Sequence, residues 1–352
     1  MGTSATGKVL AVMGWALGLF MTLPAAAAER ADVARACWAP EALAARPAER
    51  AVRRDPNARG GPPALNLASN PASLRGAIRR VELPPGKKLV ALTLDFCETP
   101  GEVAGYDGAI IDILRRERVA ATLFLGGRWM VTHGERTEQL AADPLFEIAS
   151  HGWAHRNVRL LAPDALREEL LGPSAAYRQV RSRLLARACA APHAAGIPGD
   201  IRLFRFPFGA CNAASLDATA AAGLLAIQWD VSTGDPDPHQ SAAAIAERMI
   251  SGARPGSILL AHANGRGHHT AEALPAAIKG LRARGFEFVT VGQLLAAGRP
   301  VVTDTCYDAR PGDTDKYDFL GRTAPAAASP RSTSSSLEAG PRDGWSTTTL
   351  PR

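Results

Sequence analysis

Short apolar runs recur through the middle of the chain, at residues 89–96, 121–125, 146–149, 201–206, 225–231, 257–261 and 286–291. Longer amphipathic segments separate them. Ile110, Ile111, Ile113 and Leu114 lie at helical spacing in one such segment, and Ile245, Met249 and Ile250 do so in another. Apolar strands alternating with amphipathic helices predict an α/β fold with a parallel sheet and helical crossovers. About seven such units in roughly 210 residues fit a closed or nearly closed (β/α) barrel, with a flat doubly wound sheet as the alternative.

The polar residues between these elements are not scattered. Asp95-Phe96-Cys97-Glu98 ends the first run, and His151 and His155 follow the third. Arg205-Phe206-Pro207-Phe208-Gly209 ends the fourth, Asp230 with Asp235 ends the fifth, and His262 follows Leu259-Leu260-Ala261 at the end of the sixth. All five clusters fall at the carboxyl ends of predicted strands, the face where parallel α/β proteins place their chemistry. Polarity that served solubility alone would fall at both ends.

His151 and His155 are four residues apart, on one face if the segment turns helical, so both imidazoles can reach one ion. A carboxylate from Asp95 or Glu98 would complete a three-ligand set with positions left open, as a catalytic Zn²⁺ requires. The other carboxylate is then free to act as general base, and His262 can protonate a leaving amine. Arg205 and Asp230 can pair to orient the base, and the Phe208 N–H can face a developing oxyanion. Taken singly, each has a plainer reading. Asp95 can start a turn, Arg205 and Asp230 can be a structural pair, and a histidine after an apolar run is often only packed. Trp153 and Trp229 read as core residues.

Outside residues 87–297 the pattern changes. Lys8, an apolar stretch over 9–23 and Ala26-Ala27-Ala28 before Glu29 read as a signal peptide over 1–28, which predicts an exported protein, periplasmic or extracellular, without a lasting membrane span. Residues 29–86, rich in Ala, Arg and Pro, read as an arm laid on the main domain. Residues 298–352 lose periodicity, and from about Thr323 the Ser/Thr/Pro/Ala composition predicts disorder. The net charge of +6 comes from dispersed arginines without interleaved aromatics, which argues against nucleic acid and suits an anionic envelope polymer. Five cysteines in an oxidising compartment predict disulfides with at least one thiol left over. Their positions suggest Cys97 with Cys211 and Cys37 with Cys306, although connectivity does not follow from sequence. Nor does the oligomeric state.

The order of these motifs resembles the NodB-homology polysaccharide deacetylases, carbohydrate esterase family 4, over roughly residues 87–297. Thr93-Leu94-Asp95-Phe96-Cys97 resembles the family's T-F-D-D-G, and His151-Gly152-Trp153-Ala154-His155 its H-[ST]-x-x-H. Arg205-Phe206-Pro207-Phe208-Gly209 resembles R-x-P-[YWF]-G, the stretch from Asp230 to Asp235 a lengthened D-x-x-D-W, and Leu260-Ala261-His262 the late L-x-H. The resemblance implies a distorted (β/α) barrel and metal-dependent hydrolysis of a glycan N-acetyl group. It makes Asp95 the base, His151 and His155 metal ligands, His262 the acid and Leu260 a wall for the acetyl methyl. Phe96 stands where the family has its aspartate ligand, so Glu98 is the replacement; Asp95 on the metal with Glu98 as base is the reverse assignment. Hydrolysis of another C–N bond in a small amide is a second reading. A non-catalytic glycan-binding envelope protein, suggested by Phe96, is a third.

Overall fold

Each apolar run of the central region forms a strand or contains one. The computed structural model describes residues 1–2, 31–58, 60–65, 72 and 74–319. The strands are β1 (Arg53–Arg54), β2 (Ala77–Glu82), β3 (Leu89–Phe96), β4 (Glu102–Val103), β5 (Ala121–Leu125), β6 (Phe146–Ser150), β7 (Leu203–Phe204), β8 (Leu225–Ile227), β9 (Val231–Ser232), β10 (Ile258–His262), β11 (Glu287–Phe288) and β12 (Arg299–Thr303). The helices are α1 (Val33–Cys37), α2 (Pro40–Leu43), α3 (Gly108–Arg116), α4 (Gly127–Thr132), α5 (Gly134–Ala142), α6 (Pro163–Leu185), α7 (Ala213–Ala221), α8 (Ala242–Gly252), α9 (Thr270–Ala283) and α10 (Val291–Ala297).

The main sheet runs β12-β2-β8-β7-β6-β5-β3-β10-β9, with β11 added beside β3. Every pairing in it is parallel except β12 against β2. Residues 225–232 supply β8 near one edge and β9 at the other, so the sheet must curl. A bridge from Arg80 in β2 to Ser257, just before β10, draws the edges together. The result is a curled, mostly parallel α/β sheet, a distorted barrel rather than a flat doubly wound sheet.

Side-chain alternation divides the core into two layers. Val90, Leu92, Leu94 and Phe96 of β3 turn outward, where Ile110, Ile111 and Leu114 of α3 and Trp129 of α4 pack with them. Ala91, Phe124, Ile227, Trp229, Ile258 and Leu260 fill the interior. Trp153 and Trp229 are both buried, as expected for core tryptophans. Val33, Ala34, Trp38 and Leu43, before β1, join the outer core cluster.

Three expectations need correction. β2 falls within the stretch read as arm, yet it belongs to the sheet. Arg79 and Arg80 masked its apolar pattern, and Arg79 is satisfied in the fold by the carbonyls of Tyr307 at 2.6 Å and Asp308 at 2.8 Å. Residues 299–303 form β12 although they lie beyond the periodic region. The disulfides are Cys37–Cys189 and Cys211–Cys306, with Cys97 free and buried. The first ties the arm to the segment after α6, and the second pins the C-terminal stretch beside the loop after β7. Residues 3–28 of the stretch that reads as a signal peptide, and the tail from Thr323, lie outside the described residues. Among the described residues, no helix is long and apolar enough to cross a membrane.

Because Cys211–Cys306 spans 95 residues, removing it frees a large loop in the unfolded chain. The double variant Cys211→Ser/Cys306→Ser is expected to lose about 2–4 kcal/mol in denaturant unfolding. An unchanged midpoint would mean that β12 and residues 304–319 are held without the bridge.

Candidate metal centre and active site

The ends of β3 and β10 set the frame. They run parallel in register, and His262 pairs with Asp95 on the last rung. Thr93 and Asp95 share the inward face of β3, so both side chains enter the barrel at its carboxyl rim.

Asp95 is held there by Arg205, just after β7. The guanidinium is wholly buried and donates from Nη1 to Asp95 Oδ1 at 2.7 Å and to Thr93 Oγ1 at 2.8 Å. Its Nε and Nη2 reach the carbonyls of Ile227 and Gln228, both at 3.3 Å, and it lies 3.9 Å over the Phe124 ring. Burial disfavours charge on Asp95, but Arg205 followed by His151 and His262 outweighs it and lowers the carboxyl below its ordinary value. Breaking such a buried pair costs about 3–5 kcal/mol.

The two histidines meet by a tight turn and not by the helix the spacing suggested. Gly152 has φ of 76° and His155 φ of 51°, both left-handed, and these bends bring the rings to 4.9 Å between centroids. Glycine suits 152, because another residue would be strained at this left-handed φ and its Cβ would stand 2.7 Å from Glu169 Oε2. Glu169, buried on α6, anchors the turn by accepting from the Ala154 N–H at 3.1 Å and from Arg156 Nε at 2.6 Å. Sequence reasoning passed over Glu169. An acid inside the apolar stripe of Leu166, Leu170 and Leu171 was the available signal.

His151 Nδ1 lies 3.1 Å from the Arg205 carbonyl, which can only accept, so Nδ1 carries the proton. The Nε2 lone pair then faces Asp95 Oδ2 at 3.4 Å. Two lone pairs so placed call for a cation or a proton between them. Burial, the largest influence on both rings, lowers the pKa of His151 and drives that of His155 well below the ordinary value. Neutral imidazoles are the ligand form, so the donors fit a divalent metal. Cys97 Sγ and one nitrogen each from His151 and His155 lie within 4.8 Å of one another.

Glu98 is not in that group. It shares the parity of Phe96, which packs outward on Trp129 at 4.7 Å. Its Oε2 instead accepts from the Ala104 N–H at 3.0 Å and the Thr132 hydroxyl at 2.8 Å. Burial raises its pKa to about 7.

Asp230 is also elsewhere, and it makes no pair with Arg205. Its carboxylate takes the Ile258 N–H and the Ser257 hydroxyl, both at 2.9 Å, at the amino end of β10 and four residues from the rim. Asp235 is the residue at the rim. Its Oδ1 lies 2.9 Å from His262 Nδ1, and its Oδ2 accepts from the His262 N–H and the Thr270 hydroxyl, both at 2.7 Å. Burial pulls the pKa of His262 down, but the Asp235 charge and hydrogen bond, with Asp95 behind them, raise it above the ordinary value. Leu260, two residues before His262, shares its inward face and is buried. Phe208 has φ of 60°, and its ring packs edge-on to His155 at 4.5 Å. Tyr317, from the C-terminal stretch, lies 5.3 Å from Phe208 on its other contact.

A family profile described as Polysaccharide deacetylase matches residues 82–227. A chitooligosaccharide deacetylase of Bradyrhizobium is 30% identical over 226 residues, covering 59% of this chain and 91% of that protein. The chain belongs to the polysaccharide deacetylase family. A bifunctional xylanase/deacetylase of Pseudobutyrivibrio xylanivorans is 28% identical over 59% of this chain, but the match spans only 30% of that longer protein. The match to the peptidoglycan-N-acetylglucosamine deacetylase PgdA of Listeria monocytogenes, 26% identical, spans 64% of this chain and 43% of that protein. The crystal structure of the Bc1960 peptidoglycan N-acetylglucosamine deacetylase shares the fold, with a TM-score of 0.51 at 22% identity over 64% of this chain and 95% of that one.

Asp235→Asn removes the carboxylate that holds the His262 imidazole up. Burial is then the strongest influence left, so the ring's pKa should fall. An NMR titration of the imidazole reads this directly. An unmoved His262 would show that Asp235 does not govern it.

Proposed function

We propose that this chain is a metal-dependent hydrolase that removes the N-acetyl group from an envelope or extracellular glycan and releases acetate. The observation that carries the proposal is the rung joining Asp95 to His262, a carboxylate whose pKa Arg205 lowers against its burial beside an imidazole whose pKa Asp235 raises against its burial, next to two imidazoles whose pKa burial lowers. His151 and His155 would hold a divalent ion, with zinc the best match to nitrogen donors of this kind. Such an ion, when bound, supplies Lewis acidity toward the acetamide carbonyl.

The chain's own groups do the rest. Asp95, kept ionised by Arg205, takes a proton from the attacking water. The Phe208 N–H donates to the carbonyl oxygen as it gains charge. His262 gives its proton to the departing amine, with Asp235 keeping that proton on the ring until it is needed. Leu260 offers an apolar wall to the acetyl methyl, which favours a small acyl group. Two disulfides and the leader-like residues 1–28 support export, where N-acetylated glycans are found. The net charge of +6 would favour an anionic polymer.

Protein beginning at residue 29, loaded with zinc, is expected to release acetate from N-acetylglucosamine oligomers or peptidoglycan. Chelation should stop the release, and added zinc should restore it. Asp95→Asn and His262→Ala should each lower kcat by about 10²–10⁴-fold. Zinc-loaded protein that frees no acetate from chitin oligomers, peptidoglycan or an acetylated exopolysaccharide would contradict the proposal. Turnover of small amides alone would reassign the enzyme to another C–N bond.

A further inference from the structure

We propose that Cys97 is the third protein ligand of the metal centre. It completes with His151 and His155 a set of one thiolate and two imidazoles that takes a borderline-soft divalent ion, zinc or cobalt, over magnesium, manganese or calcium. The inference rests on the metal-dependent reading above and names what fills the place that Phe96 leaves.

Parity is the first ground. Thr93, Asp95 and Cys97 are two residues apart, and the first two enter the barrel, as Arg205 shows by holding both. Cys97 continues that face just past the end of β3. Phe96 and Glu98 take the other face, where Trp129 and Thr132 receive them. So a ligand aimed at the histidines from this stretch comes from 95 or 97, and not from 96 or 98.

Position is the second ground. The Asn264 side-chain amide donates to the Cys97 carbonyl at 2.8 Å, and the Gly126 N–H donates to the Phe96 carbonyl at 3.0 Å. The backbone that carries the thiol is therefore fixed from both neighbouring strands. The sulfur and the two ring nitrogens stand within 4.8 Å of one another. Asp95 lies outside that mutual group, and its Oδ1 is already bound by Arg205.

Pairing is the third ground. All five cysteines lie among the described residues; four are bridged in pairs, and Cys97 alone is free. A cysteine that only filled space would have no cause to present its sulfur to two imidazoles. On binding, the thiol gives its proton to solvent and the thiolate forms the metal bond. Thiolate ligands favour zinc and its soft neighbours, whereas magnesium, calcium and manganese prefer oxygen.

The test is spectroscopic and independent of turnover. Metal-free protein with both disulfides intact is titrated with Co²⁺. A near-ultraviolet thiolate-to-cobalt charge-transfer band should grow linearly to one equivalent and vanish when Zn²⁺ is added. Cys97 is the sole thiol, so the band in unaltered protein assigns it without any variant. Cys97→Ser should bind cobalt without the band and hold zinc at least roughly tenfold more weakly, whereas Asp95→Asn should keep the band. Cobalt bound one to one without the band, or a band that survives Cys97→Ser, overturns the proposal. A band in protein that releases no acetate would uphold the ligand and count against the deacetylase reading alone.

Discussion

One buried guanidinium organises this site. Arg205 lies under the rim with no exposure to water, and each of its three nitrogens donates to Asp95, Thr93 or a carbonyl at the end of β8, of Ile227 or Gln228. Its side chain fixes the carboxylate that would act as base. Its own carbonyl fixes the tautomer of His151 and so leaves Nε2 as the donor. A buried charge is costly unless it is paired and hydrogen-bonded, and here the same contacts that satisfy it position two functional groups. The Arg205 position thus couples β3, β7 and the histidine turn into one rigid unit.

The second constraint is the alternation of side chains along β3. It sends Phe96 into the outer core against Trp129 and leaves Asp95 to the interior. With Phe96 turned outward, the next inward position is Cys97, the third ligand we propose beside His151 and His155. The β10 side of the same rim is ordered by a separate acid. Asp235 binds both the backbone and the ring of His262, and Thr233 and Thr270 hold Asp235 in turn. Asp95 and His262 are thus supported independently, on adjacent strands of one ladder.

Much of this was legible in the sequence. Strand runs 89–96 and 121–125 match β3 and β5 residue for residue, since buried parallel strands read as continuous apolar stretches. The gathering of Asp95, His151, His155, Arg205 and His262 at one rim followed from their places after those runs. What failed had specific causes. Glu98 has the chemistry of a ligand but the parity of the outward face. The apolar run over 225–231 reads as one strand ending at Asp230, whereas the chain breaks between β8 and β9 and it is Asp235 that reaches His262. β2 was hidden by two arginines, one buried against carbonyls supplied from more than two hundred residues away. The disulfide partners, 152 and 95 residues apart, leave no local trace in the sequence.

The central claim is that these stretches grip one ion through two imidazoles at the barrel rim. X-ray absorption at the zinc edge of metal-loaded protein tests it most directly. The account predicts two imidazole nitrogens at about 2.0–2.1 Å and one sulfur at about 2.3 Å. A first shell made only of oxygen, with no imidazole scattering, would contradict it.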